Sequence, residues 1–166
     1  MNADVVRQSG YLTFGSRLRR IGERLQGDVQ RIDIVRGYEL HGSLWTTLIA
    51  LDREGELTVG ELAQSLGIAQ PGVTRNLKLL EERGLAVSQP SATDQRVRRV
   101  TLTKEGLQVV DKAKREIWPL VEEAVADICG SLKGPLLTQL AALEDALDEA
   151  SLDRRVAALI ARKKRK

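Results

Sequence analysis

Apolar residues recur at helical spacing over most of the chain. Phe14, Leu18, Ile21, Leu25, Ile32 and Val35 fall at three- and four-residue steps, with Val29 standing in for the acidic Asp28. The pattern predicts one long helix from Tyr11 that stops at Gly37, behind a frayed segment of residues 1–10. Leu44, Leu48 and Leu51 predict a second helix over residues 43–53, with Ser43 as its N-cap. Thr58 and Glu61 stand three apart ahead of Leu62, Ala63 and Leu66, the spacing of a capping box that opens a short helix. After a turn at Gly67, residues 70–72 open another helix, with Val73, Leu77 and Leu80 as its buried stripe and Gly84 as its stop. Residues 85–89 then alternate like a half-buried strand. A polar loop over residues 90–96 leads to a second strand with Arg98, Val100 and Leu102 on one face, and together these predict a β-hairpin. Thr103 caps a long helix carrying Leu107, Val110, Ile117, Val121, Ala124 and Ile128, with a kink expected between residues 115 and 119 because Pro119 removes a hydrogen bond. Gly130, Gly134 and Pro135 separate it from a last seam of Leu136, Leu140, Leu143, Leu147 and Ala150; a short helix from Ser151 and a basic tail follow.

Charge changes this picture from a generic helical protein to one with a marked centre. The 166 residues carry 26 Lys and Arg against 23 Asp and Glu, for a net charge of +3. Residues 70–101 hold six cations against three carboxylates, and residues 162–166 hold five cations, whereas residues 102–150 hold ten carboxylates against five cations. A basic segment set in an otherwise acidic scaffold is an electrostatic footprint for nucleic acid. One cysteine, Cys129, excludes an intrachain disulfide framework. One histidine, His41, excludes a multi-histidine metal centre, and no nucleophile, phosphate loop or metal spacing accompanies it, so no enzyme is expected. Without an apolar run near 18 residues or a signal-peptide core, the expectation is a soluble protein of the cytoplasm, associated with the nucleoid and without a membrane partner.

Two short helices joined at a glycine, the second opening polar and basic, have the sequence form of a helix-turn-helix. Gln70, Thr74 and Lys78 stand four apart on one face, off the apolar stripe, and Arg75 lies beside them. Amide, hydroxyl and guanidinium groups are the types that read base edges in a major groove. The hairpin that follows, with Asp94, Arg96 and Arg98 about its tip, has the form of a wing whose arginines reach phosphates or a minor groove. The competing reading of these side chains is a solvated helix face and a charge-protected strand edge.

Residues 57–63 (LTVGELA), 71–75 (PGVTR) and 80–85 (LEERGL), followed by Asp94-Gln95-Arg96 and residues 102–106 (LTKEG), resemble the winged helix-turn-helix of the MarR family of transcription regulators. The resemblance implies a mainly α fold with a small β-hairpin wing (α+β). Residues 1–36 would form an N-terminal dimerisation helix, 37–106 the DNA-binding domain, 107–160 the C-terminal dimerisation helices and 161–166 a basic tail. It implies a homodimer on a pseudo-palindromic double-stranded operator, acting as a repressor relieved by a small aromatic effector, with no cofactor. Its DNA contacts would come from Gln70, Pro71, Gly72, Thr74, Arg75, Asn76 and Lys78 of the recognition helix, and from Asp94, Arg96 and Arg98 of the wing, where Asp94 organises Arg96. Tyr38, His41, Trp45 and Trp118 are the residues it offers to an effector pocket for small aromatic acids; the plain alternative is packing. Two departures stand out. Ala69 takes the place of the usual serine cap before the recognition helix. The thiol that redox-sensing members carry near the N-terminus has no counterpart, since Cys129 lies late in the chain, where an inert buried thiol is expected. The other class of function these residues fit is a winged-helix protein-interaction module.

Overall fold

The computed structural model of the protein describes residues 4–35, 37, 38, 40–91, 97–130 and 132–150. The wing-tip residues Asp94 and Arg96, the helix expected from Ser151 and the basic tail lie outside them. The described elements are α1 (Val5–Gln8), a 3-10 turn (Gly10–Thr13), α2 (Phe14–Val35), α3 (Gly42–Glu54), β1 (Leu57–Thr58), α4 (Val59–Leu66), α5 (Gln70–Glu82), β2 (Ala86–Pro90), β3 (Arg98–Leu102), α6 (Lys104–Glu116), α7 (Trp118–Gly130) and α8 (Leu136–Glu149). Compactness divides the chain after Val121.

In the first unit α3 lies at the centre. Leu44, Leu48 and Leu51 are buried, as the periodicity predicts, with Leu62 of α4, Val73, Leu77 and Leu80 of α5, Val100 of β3 and Val110 of α6. Each such side chain contributes about 1.5–3 kcal/mol on leaving water. The capping box is present: Thr58 Oγ1 accepts from the Glu61 N–H at 3.2 Å, and the Glu61 carboxylate accepts from the Thr58 N–H at 2.7 Å. That backbone bond holds the Glu61 carboxyl below its ordinary range.

At the end of α5 the Leu85 N–H reaches the Leu80 carbonyl and the Gly84 N–H the Glu81 carbonyl, both at 2.9 Å, with Gly84 at φ +67°. This is a Schellman closure, and it requires the left-handed conformation that glycine adopts without strain. The chain then enters a three-stranded antiparallel sheet of order β1-β3-β2, with Leu57 opposite Val100 and Ala86 opposite Leu102.

The structure departs from the sequence expectations in four places. Residues 1–10 are not uniformly frayed: Asp4 caps α1 and pairs with Arg20 at 3.0 Å. His41, not Ser43, caps α3; its Nδ1 accepts from the Ser43 N–H at 3.4 Å, and the helix starts at Gly42. β1 is a third strand that the hairpin pattern does not contain. The kink expected between residues 115 and 119 takes the form of a one-residue interruption at Ile117, between α6 and α7. Pro119 has no N–H to offer the Arg115 carbonyl, while the bonds from Ile117 to Ala113 and from Val121 to Ile117 survive on either side at 3.0 Å.

The second unit contains the later part of α7 and α8. Along α7, Val125 and Ile128 are exposed, and Cys129 is half-buried rather than fully buried. Leu136, Leu140 and Leu143 of α8 are partly buried.

Backbone comes close to backbone where α6 begins. Thr103 caps that helix, its N–H bonded to the Leu85 carbonyl at 3.1 Å. A Cβ on Gly106 would stand 2.0 Å from the same carbonyl oxygen. Gly106→Ala is therefore expected to force the α5–β2 corner and α6 apart, and to lower stability by about 1–3 kcal/mol or more in urea unfolding. A variant as stable as the parent would contradict this close approach.

Candidate nucleic-acid interface

The two faces of α5 separate cleanly. Val73, Leu77 and Leu80 turn into the core, while Gln70, Pro71, Thr74, Arg75 and Lys78 are exposed. Glycine at 72 is half-buried, and a Cβ there would make an ordinary contact with Ile68 at 3.7 Å. Thr74 Oγ1 donates to the Gln70 carbonyl at 3.0 Å, so its lone pairs stay available on the open face. Lys78 approaches Glu82 at 3.9 Å with both side chains in solvent, a contact too weak to hold the ammonium in place. Ala69 supplies no side-chain cap. The N-terminal turn of α5 thus lacks a side-chain acceptor and presents the positive end of the helix dipole.

Asn76 requires a correction. Proposed from the sequence as a DNA contact, it is buried, with 4% of its surface exposed. Its Nδ2 donates to the Ser43 carbonyl at 3.1 Å and approaches Thr47 Oγ1 at 3.3 Å, and its Oδ1 accepts from Ser43 Oγ at 3.4 Å. Asn76 therefore fixes α5 against α3. It shares its turn with Val73 and Leu77, and that stripe was the signal of an inward position.

In the wing, Val100 is fully buried while Arg98, two residues before it, is exposed at the strand end. The Arg98 guanidinium donates to the Ser88 carbonyl of β2 at 2.8 Å. Arg99 pairs with Glu56 at 3.3 Å, tying β3 to the segment that enters β1. Both arginines thus have partners within the fold.

Three of the four effector candidates come together. Tyr38 packs edge-on to Trp45, with ring centres 5.4 Å apart, and Trp45 packs edge-on to Trp118 at 5.9 Å. His41 does not join them; it is exposed and spent on the cap of α3. Trp45 and Trp118 line a pocket of about 240 Å³ with Leu25, Val29, Ile49 and Asp33. Tyr38 lies instead on a separate cavity beside Arg83 and Lys112, with the Lys112 ammonium 5.2 Å from its ring.

Sequence reasoning missed Asp33. It is 1% exposed and accepts from the Trp45 indole N–H at 2.6 Å. Burial pushes its carboxyl above the ordinary range, and the Trp45 bond opposes that shift. Leu25, Val29 and Asp33 stand four apart on one stripe of α2, which is the periodic signal that could have revealed it.

Residues 39–97 match the family model described as MarR family. Among solved structures, the repressor CouR, bound to a 23-mer DNA duplex, shares 27% identity at a TM-score of 0.69, over 82% of this chain and 97% of its own. A mutant MarR from E. coli, complexed with operator DNA, has the same fold at a TM-score of 0.66 and 17% identity, over 89% of this chain and 98% of its own. BpsR of Bordetella bronchiseptica, whose DNA binding is regulated by 6-hydroxynicotinic acid, has it at 0.62 and 23%, over 81% and 98%. No described helix is long and apolar enough to cross a membrane. The helix-turn-helix of α4 and α5 lies within the segment that matches the MarR family model, residues 39–97, and over 82% of its length the chain shares the fold of the transcriptional repressor CouR.

Proposed function

We propose that the protein is a homodimeric repressor that reads a pseudo-palindromic operator and is released from it by a small effector. The observation that carries this reading is the exposed polar and basic face of α5, whose opposite face is buried and bonded to α3 through Asn76. Two such helices, one from each protomer, would enter successive major grooves about 34–36 Å apart. Arg75 and Lys78 would supply phosphate contacts, and Gln70 and Thr74 the choice of bases. Asp94 and Arg96 belong to this proposal by their place in the wing sequence. The DNA-bound state of CouR and the effector-regulated state of BpsR support it by likeness.

Dimerisation is supported by the apolar side chains left in water. Leu18, Ile21, Leu25 and Ile32 on α2 are exposed along one seam, and Tyr11 and Leu12 ahead of it are 93% and 90% exposed. A seam of this kind, at the end of the chain opposite to α7 and α8, is most economically covered by a second copy.

Arg75→Ala is expected to weaken binding to all DNA sequences and to reduce the slope of log affinity against log salt by about one unit. An unchanged slope would remove Arg75 from the interface, and no gel shift at low salt by the parent protein would favour a protein-interaction module. Thr74→Ala and Asn76→Ala should behave differently from each other. The first should alter the sequence recovered by binding-site selection at unchanged stability. The second should lower stability by about 1–3 kcal/mol by leaving buried partners unsatisfied. Equal stability of Asn76→Ala and parent would contradict the role given to the amide.

A further inference from the structure

We propose that the pocket between α2, α3 and the α6–α7 junction takes an apolar amine, its ammonium on Asp33 and its ring against Trp45 and Trp118, rather than an aromatic acid. The proposal rests on the effector reading above and gives it a ligand class.

Among the described residues lining this pocket, Asp33 is the one ionisable side chain; Gln26 and Thr46 are the other polar ones, and the rest are apolar or aromatic apart from Gly42. Among the described residues its carboxylate holds one hydrogen bond, from Trp45, on Oδ2. A ligand acid would set a second carboxylate beside a buried one. Like charges at such distances cannot both stay ionised, and the described residues of the pocket wall offer no cation to separate them. An ammonium reverses each of these costs. It supplies a counter-charge to the buried carboxylate, beside a wall of aromatic and aliphatic side chains. The pocket volume of about 240 Å³ suits a ligand with a single ring and a short arm.

The chain contains two tryptophans, and both line this pocket, so their emission reports occupancy directly. The full-length protein would be titrated with 2-phenylethylamine, 2-phenylethanol and phenylacetate, which share a ring and differ in charge. The amine is expected to change the emission saturably and to bind at least about tenfold more tightly than the acid, the factor set by one pKa unit of interaction with an opposite charge. In Asp33→Asn the side chain can still accept from Trp45, and the advantage of the amine over the alcohol is expected to vanish. Phenylacetate binding as well as the amine, an amine preference that survives in Asp33→Asn, or no saturable change with any probe would each overturn the proposal. If Asp33→Asn does not fold, the ranking in the parent protein decides alone. DNA release is read separately by gel shift. An amine that binds yet leaves the shift unchanged contradicts the effector role under the proposed function, and leaves the ligand class standing.

Discussion

Packing of α5 onto α3 decides which side chains of α5 are left in solvent. Val73, Leu77 and Leu80 remove one face of α5 from water, and they alone would allow small rolls and slides along an oily contact. The Asn76 amide adds direction. It bonds the Ser43 carbonyl and the hydroxyls of Ser43 and Thr47, all on α3, so a shift of α5 by one position would strand several buried polar groups at once. Gln70, Thr74, Arg75 and Lys78 point outward as a consequence. The other features of the first unit support this contact. The capping box sets where α4 begins, the closure at Gly84 turns the chain from α5 into the sheet, and Gly106 lets α6 press on the corner between them.

The charge of the central segment looks different once its partners are known. Of its six cations, Arg83 donates to the Leu79 carbonyl, Arg98 to the Ser88 carbonyl, and Arg99 pairs with Glu56. These three hold the hairpin and the end of α5 in shape. Arg75 and Lys78 remain on the open face among the described residues, with the wing-tip Arg96 beyond them in the sequence. A footprint that appears broad in composition is thus narrow in space. Under the proposed function, affinity would rest on few phosphate contacts per protomer, a reason for a second copy to matter to binding and not only to stability.

Much of this was legible in the sequence because the signals were local. Thr58 and Glu61, the stripe Val73-Leu77-Leu80, Gly84, and the alternation on either side of the 90–96 loop each name an element through its own backbone needs. The residues that were missed or misplaced depend on partners far along the chain. Asn76 has a polar side chain on an exposed-looking helix, and only the meeting of α5 with α3 makes it internal. β1 has two residues and exists because β3 comes to pair with it. Asp33 interrupts an apolar stripe and reads as a flaw until Trp45, twelve residues on, turns its indole N–H toward it. His41 reads as a ligand-site residue by its closeness to Trp45, yet it stands just outside the helix with an extended backbone and spends its imidazole on the cap.

Hydroxyl-radical footprinting of the protein on a selected operator tests the central claim most directly. If the exposed faces of two α5 helices read the DNA, protection should fall in two symmetric tracts on one face of the duplex, one helical turn or about 10–10.5 base pairs apart. Uniform protection along the fragment, or a single tract, would contradict a paired recognition-helix reader.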